Sequence, residues 1–195
     1  SLLRERKQRN FRDASVICKH RRAVRRLCNV ERSSSTNSAD FTSIGLFNAQ
    51  SLGNKFAAVC ERIIADRLHL CAVVETWHDS ADSPCLIATA PPGYRYIEKS
   101  RPRKVADQLT INTNHGGLCL FYASFIGAHE IPLPTYNSGL EALAVYVHGA
   151  RRNALIIILY WPGSTAVTNA FFDDFSDILE RTSTFGCPVI LLGDI

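Results

Sequence analysis

The sequence predicts an α/β fold, and three observations predict it. From Phe41 onward, short aliphatic runs alternate with amphipathic stretches. Several runs are continuous rather than alternating, which suits strands covered on both faces. Polar residues close four of them: Asn48, Glu75, Tyr160 and Asp194.

Residues 41–47 read as a first strand ending at Asn48. Phe56, Val59, Cys60, Ile63 and Ile64 then recur at helical spacing, with Asn54 as N-cap. Leu70–Val74 is a second strand, delivering Glu75. Residues 84–114 are rich in proline and basic side chains and read as a loop region. Residues 117–122, 143–147 and 154–159 read as strands, the last ending at Tyr160. In the next helix Phe171, Phe172, Phe175, Ile178 and Leu179 mark one face, and Asp173, Asp174, Asp177 and Glu180 the wet one. The closing run between Pro188 and Gly193 reads as a buried strand that carries Asp194 to its C-terminal end. The four polar strand ends are expected on one edge of one sheet. No internal repeat is present.

The apolar share of 46% is enough for a real core. Apolar runs such as 154–160 fall well short of the roughly 20 residues of a spanning helix, so no membrane partner is expected. The sequence holds no methionine, so the chain is expected to be a fragment. Seven cysteines lie at wide spacings without a Cys-x-x-Cys pair. They read as reduced thiols acting as small hydrophobes, which implies an intracellular setting, nuclear or cytoplasmic.

The net charge of +4 conceals an asymmetry, because residues 1–40 hold 11 Lys/Arg and 4 Asp/Glu. This flank, separated from the domain at 41–195 by the run Ser33-Ser34-Ser35, reads either as a phosphate-binding or nuclear-import arm or as a solvated flexible segment. Lys99, Arg101, Arg103 and Lys104, beside Tyr94 and Tyr96, read either as a surface for DNA backbone or as ordinary solvated surface. His115 reads as a turn residue and Trp77 as a packing residue.

A carboxylate at a strand end suits Mg²⁺, a hard cation that shares one or two carboxylates with substrate phosphate and water. The segments Phe47-Asn48-Ala49-Gln50-Ser51-Leu52, Val74-Glu75-Thr76-Trp77, Gly116-Gly117-Leu118, Tyr160-Trp161-Pro162 and Leu192-Gly193-Asp194, in that order, resemble the endonuclease/exonuclease/phosphatase superfamily. Asn-x-Gln-Ser-Leu with a Tyr-x-Pro turn is most similar to the apurinic-type endonuclease of non-LTR (LINE-type) retrotransposons. Gln50 stands where the abasic-site repair branch commonly has Asp.

The resemblance implies a four-layer α/β sandwich of two packed mixed sheets with outer helices, of which this chain is the first, truncated half. The inner face of its sheet would then be exposed. It implies Mg²⁺-dependent phosphodiester hydrolysis, with Mn²⁺ as an alternative ion and DNA as partner, beside a reverse transcriptase domain in the same polyprotein. Glu75 would hold the metal, and Asn48 would orient the metal shell or the phosphate. Tyr160 would donate to a non-bridging oxygen, and Asp194 would orient or deprotonate the attacking water. Gln50 would join the same rim, and Arg101, Arg103 and Lys104, read from the basic loop rather than from the resemblance, are candidate substrate contacts. The family's later Asp and His residues have no counterpart here, so the fragment alone is expected to be inactive. Two other readings stay open: a phosphoesterase of the same superfamily acting on inositol phosphates, sphingomyelin or RNA, and a degenerate nucleic-acid-binding copy.

Overall fold

The computed structural model describes residues 42–101, 115–149 and 152–195. The basic flank 1–40 lies outside the described residues, as do Arg103 and Lys104. The expected α/β pattern is present as β1 (Ile44–Asn48), α1 (Phe56–Ala65), β2 (Leu70–Val74), α2 (Pro84–Thr89), β3 (Tyr94–Lys99), β4 (Leu118–Ala123), β5 (Gly127–Ile131), β6 (Glu141–His148), β7 (Ala154–Tyr160), α3 (Asn169–Ser183) and β8 (Val189–Asp194).

The strands form two mixed sheets, ordered β1-β2-β4-β3 and β5-β6-β7-β8. β1 and β2 are parallel, as are β7 and β8, and every other pairing is antiparallel. Strand alternation sorts the side chains into three cores. Leu70, Ala72, Val74, Leu118, Leu120, Leu143, Val145, Ile156 and Ile158 meet between the sheets. Cys71, Val73, Cys119 and Phe121 point the other way, onto Val59 and Ile63 of α1 and Leu86 of α2. Ala142, Ala144, Leu155, Ile157 and Leu159 pack under Phe171 and Ile178 of α3. The layers are therefore helix, sheet, sheet, helix, which is the four-layer sandwich. Both faces of β2, β4 and β7 are buried, which is why their sequences are continuous apolar runs.

Several expectations need correction. This chain supplies strands to both sheets, so the inner face expected to be bare is filled by the core between them. The stretch 84–114 was expected to be a loop, yet it contains α2 and β3. Pro84 occupies the first turn of α2, where its missing N–H costs nothing. Tyr94 and Tyr96 pack toward α1 and α2 and donate their hydroxyls to the carbonyls of Leu68 and Ala81, so neither is a loop aromatic offered to DNA. Lys99 is half-buried and donates to the Ala142 carbonyl at 3.0 Å; burial lowers its ammonium from the usual value, opposed by Glu130 and Glu141.

Asn54 closes a 3-10 turn, Leu52–Asn54, and Lys55 stands at the N-cap of α1. One face of β8 is open rather than buried, since Val189 and Leu191 are exposed while Ile190 and Leu192 join the core between the sheets. On α3 only part of the expected apolar face is covered: Phe171 and Ile178 are buried, whereas Phe172 and Leu179 are exposed. Among the described residues Cys60, Cys71, Cys85, Cys119 and Cys187 are free thiols. No helix among them is long and apolar enough to cross a membrane.

Candidate active site

Asn48, Tyr160 and Asp194 each continue the inward-facing alternation of their strands, after Leu46, Ile158 and Leu192. Their side chains therefore emerge at the end of the gap between the sheets. Tyr160 pairs with Asp194 and Asn48 with Val74 in the parallel registers. Glu75 breaks this rule. Val74 already faces inward, so regular alternation would send Glu75 outward. Its φ of +52° turns the chain into the left-handed region instead.

The side chain of Glu75 accordingly reaches the same gap, where its Oε1 accepts from Asn48 Nδ2 at 2.7 Å. The same nitrogen donates to Asp194 Oδ2 at 2.8 Å. Two carboxylates from different sheets thus flank a single amide. The amide's orientation is fixed from the other side, because Asn48 Oδ1 accepts from the Gln50 backbone N–H at 3.1 Å. Tyr160 donates its hydroxyl to Glu75; burial first, then this bond and the Glu75 charge, push the phenol well above its usual value and keep it protonated. The four strand ends do converge, but not on one edge of one sheet as expected. Asn48 and Glu75 come from the first sheet, and Tyr160 and Asp194 from the second.

Positive φ recurs around the site, at Gln50, Ser51, Glu75 and Trp77. Such conformations cost about 1–3 kcal/mol each and persist only where the surroundings over-determine them. Backbone bonds supply that constraint on both sides. Ser51 and Leu52 donate to the carbonyls of Glu75 and Thr76, and Thr76 and Trp77 donate to Gly117 and Gly116. Gly193 serves a related need, since a Cβ there would lie 2.4 Å from the Leu159 carbonyl oxygen and would push β8 off β7.

A second polar group abuts the first. Glu141, at the start of β6, accepts from the Gly117 N–H at 2.7 Å and lies 2.8 Å from the Arg101 guanidinium. It therefore links the second sheet to the Gly116-Gly117 turn of the first. Burial raises the Glu141 carboxyl above 4.5, against the lowering by Arg101 and the Gly117 N–H, and the Glu75 charge adds to the rise. The folded state thus binds this proton more tightly than the unfolded chain does. Stability is then expected to fall as pH rises from about 4.5 through the folded-state value, with the full cost above it. Urea midpoints across that range, compared with Glu141→Gln, test this: the wild type should lose stability relative to the variant as pH rises.

Of the sequence-predicted contacts, Arg101 lies on the flank of the site, also donating toward the His115 carbonyl at 3.4 Å. Gln50 is exposed at the turn after β1 and contributes its backbone N–H. Trp77 and His115 stack on one another with centroids 4.2 Å apart. The sequence reading missed Glu141, and it also missed His78 and Glu98, which share a 2.5 Å contact beneath the site. A lone polar residue in or beside an apolar run gives no periodic signal, and its partners lie far along the chain.

Among the described residues no three His, Cys, Asp or Glu side chains group as a metal cage. The donor set fits Mg²⁺ all the same. Glu75 and Asp194 offer carboxylate oxygens on either side of the Asn48 amide nitrogen, and Mg²⁺ typically takes one or two carboxylates with the remainder from water and phosphate. Asn48 turns its amide hydrogens, not its oxygen, toward them.

No family model and no curated protein matches the sequence. Solved structures do match in fold. An AP endonuclease from Leishmania major aligns with a TM-score of 0.58 at 13% identity, over 85% of this chain and 60% of that one. The D. rerio TDP2 complexed with single strand DNA product aligns at 0.54 and 10% identity, over 77% and 59%. The endonuclease domain of TRAS1, a telomere-specific non-LTR retrotransposon, aligns at 0.52 and 10% identity, over 76% and 56%. The chain thus spans less than two thirds of the length of each. At such identities the shared feature is the architecture alone, and the chain has the fold of these three solved structures.

Proposed function

We propose that this chain contributes the catalytic carboxylates of a Mg²⁺-dependent phosphodiesterase that nicks DNA. The observation that carries the reading is the sharing of Asn48 Nδ2 between Glu75 and Asp194, at the meeting point of two sheets. Glu75, beside Asp194, would hold the metal ion, Mg²⁺ or alternatively Mn²⁺, and such an ion supplies charge neutralisation at the phosphoryl and leaving oxygens.

The protein's own groups do the rest. Tyr160, kept protonated, would turn the hydroxyl that it donates to Glu75 toward a non-bridging phosphate oxygen once substrate is bound. Asp194 is exposed, so a water can sit against it, and its carboxylate orients that water and takes its proton. Asn48 holds both carboxylates in place. Arg101, on the flank of the site, would supply positive charge to the phosphate backbone, and Arg103 and Lys104, outside the described residues, are proposed from the sequence as further contacts.

DNA as substrate draws support from the neighbours, which are an AP endonuclease, a retrotransposon endonuclease and a TDP2 bound to a DNA product. The retroelement assignment rests on Asn48-Ala49-Gln50-Ser51-Leu52 together with the likeness to the TRAS1 domain. A reverse transcriptase encoded in the same reading frame would be its natural companion.

The test is plasmid nicking by the gene product in which this chain occurs. Nicking should require Mg²⁺ and stop with EDTA. Glu75→Gln should raise the Mg²⁺ concentration for half-maximal rate by more than the roughly 10- to 100-fold typical of losing an outer partner, because it removes a direct ligand. Nicking that survives EDTA, or an unchanged Mg²⁺ requirement in Glu75→Gln, would refute the assignment.

A further inference from the structure

Beneath the turn that carries Glu75 lies a buried polar chain with no counterpart in the sequence expectations. Thr76 is 0% exposed and His78 1%. His78 Nδ1 stands 2.6 Å from Thr76 Oγ1, and its Nε2 2.5 Å from Glu98 Oε2. Glu98 projects from β3, at the far edge of the first sheet from β1.

The protonation pattern follows from what each partner can do. The Glu98 carboxylate only accepts, so Nε2 carries the hydrogen. In the neutral ring Nδ1 is then an acceptor, and the Thr76 hydroxyl, which can play either part, donates to it. Every hydrogen-bonding position of the imidazole is used, and the ring is locked in one orientation.

Space is reserved for this chain of bonds. Gly117 has φ +94°, and a Cβ there would lie 2.5 Å from Thr76 Oγ1 and 3.0 Å from His78 Nδ1. Thr76 and Trp77 also donate their backbone N–H groups to Gly117 and Gly116. The residues on both sides of Thr76, Glu75 and Trp77, are those held at φ +52° and +55°. A turn with two left-handed non-glycine residues needs an external hold, and a relay of buried hydrogen bonds fixed to β3, two strands away from β2, is one.

We propose that His78 is a positioning residue for Glu75: tied to Glu98, it holds Thr76 and thereby keeps the strained turn that aims the Glu75 carboxylate between Asn48 and Tyr160. The step from Glu75 to metal rests on the function proposed above. Outer groups that orient a ligand typically change metal affinity by about 10- to 100-fold when removed.

The experiment has two readouts on the folded chain: Mn²⁺ affinity by electron paramagnetic resonance, and amide hydrogen exchange. The variants are His78→Phe, Thr76→Val and, as conservative rescue, Thr76→Ser. Thr76→Val keeps the branched shape and loses only the hydroxyl, so it guards against a His78→Phe protein that fails to fold. Both disruptive variants should weaken Mn²⁺ binding by about 10- to 100-fold, and Thr76→Ser should restore it. They should also speed exchange at the amides of Ser51, Leu52, Thr76 and Trp77 while leaving β7 amides such as Ile157 slow.

Unchanged affinity and unchanged exchange in folded variants would overturn the proposal. So would an equal acceleration in the turn and in β7, which would assign His78 to general stability. If the wild type binds no Mn²⁺, or binds it regardless of Glu75→Gln, the metal reading fails by itself, and the exchange pattern still decides whether His78 holds the turn.

Discussion

Asp194→Asn should lower the rate of Mg²⁺-dependent nicking by about 10²- to 10⁴-fold, the usual loss for a positioned acid–base group. The substitution keeps shape and still lets residue 194 lie against Asn48, with which Asp194 shares a 2.8 Å hydrogen bond. An amide oxygen accepts a hydrogen bond but does not take a proton from water. The loss should therefore appear in kcat, with the Mg²⁺ requirement shifted far less than in Glu75→Gln. That separation is the useful part of the prediction, because the two carboxylates flank one nitrogen and are hard to tell apart by geometry. Should Asp194→Asn and Glu75→Gln shift the Mg²⁺ requirement equally with kcat unchanged, Asp194 would be a second metal ligand rather than the water's base.

Three of the four residues that converge at the candidate site were legible in the sequence for a simple reason. Asn48, Tyr160 and Asp194 end apolar strands in the alternation of the inward-facing residues, so locating the strands locates them. Glu75 was found by the same rule although it departs from it, since only its left-handed backbone brings it inward. The division into two sheets was not legible. It happens at residues 124–126, between β4 and β5, and β5 is a short strand of Gly127, Ala128, His129, Glu130 and Ile131 with little strand propensity. Without β5 the strands read as one sheet, which is why one rim was expected where two meet. α2 and β3 were hidden by the prolines and basic residues around them. The buried partners His78, Glu98 and Glu141 follow from tertiary pairing across 20 or more residues, as in His78 with Glu98 and Gly117 with Glu141.

Because the site is shared between sheets that meet through side chains alone, the packing between them controls its geometry, and Ile158→Ala tests this most directly. Ile158 is fully buried, lies beside Leu143 and Leu192 in its own sheet, and belongs to the core formed with Leu70, Val74 and Leu118 of the other. Truncation removes buried methyl groups and leaves a cavity that strands paired on both sides cannot readily close. The expected cost is about 2–5 kcal/mol in unfolding free energy. Ile157→Ala is the matched control, equally buried but directed at α3. Both variants should lose comparable stability by denaturant titration. Only Ile158→Ala should also weaken Mn²⁺ binding, because it loosens Tyr160 and Asp194 relative to Asn48 and Glu75. Equal effects on binding would mean that the carboxylates are held by their own hydrogen bonds, independently of how the sheets pack.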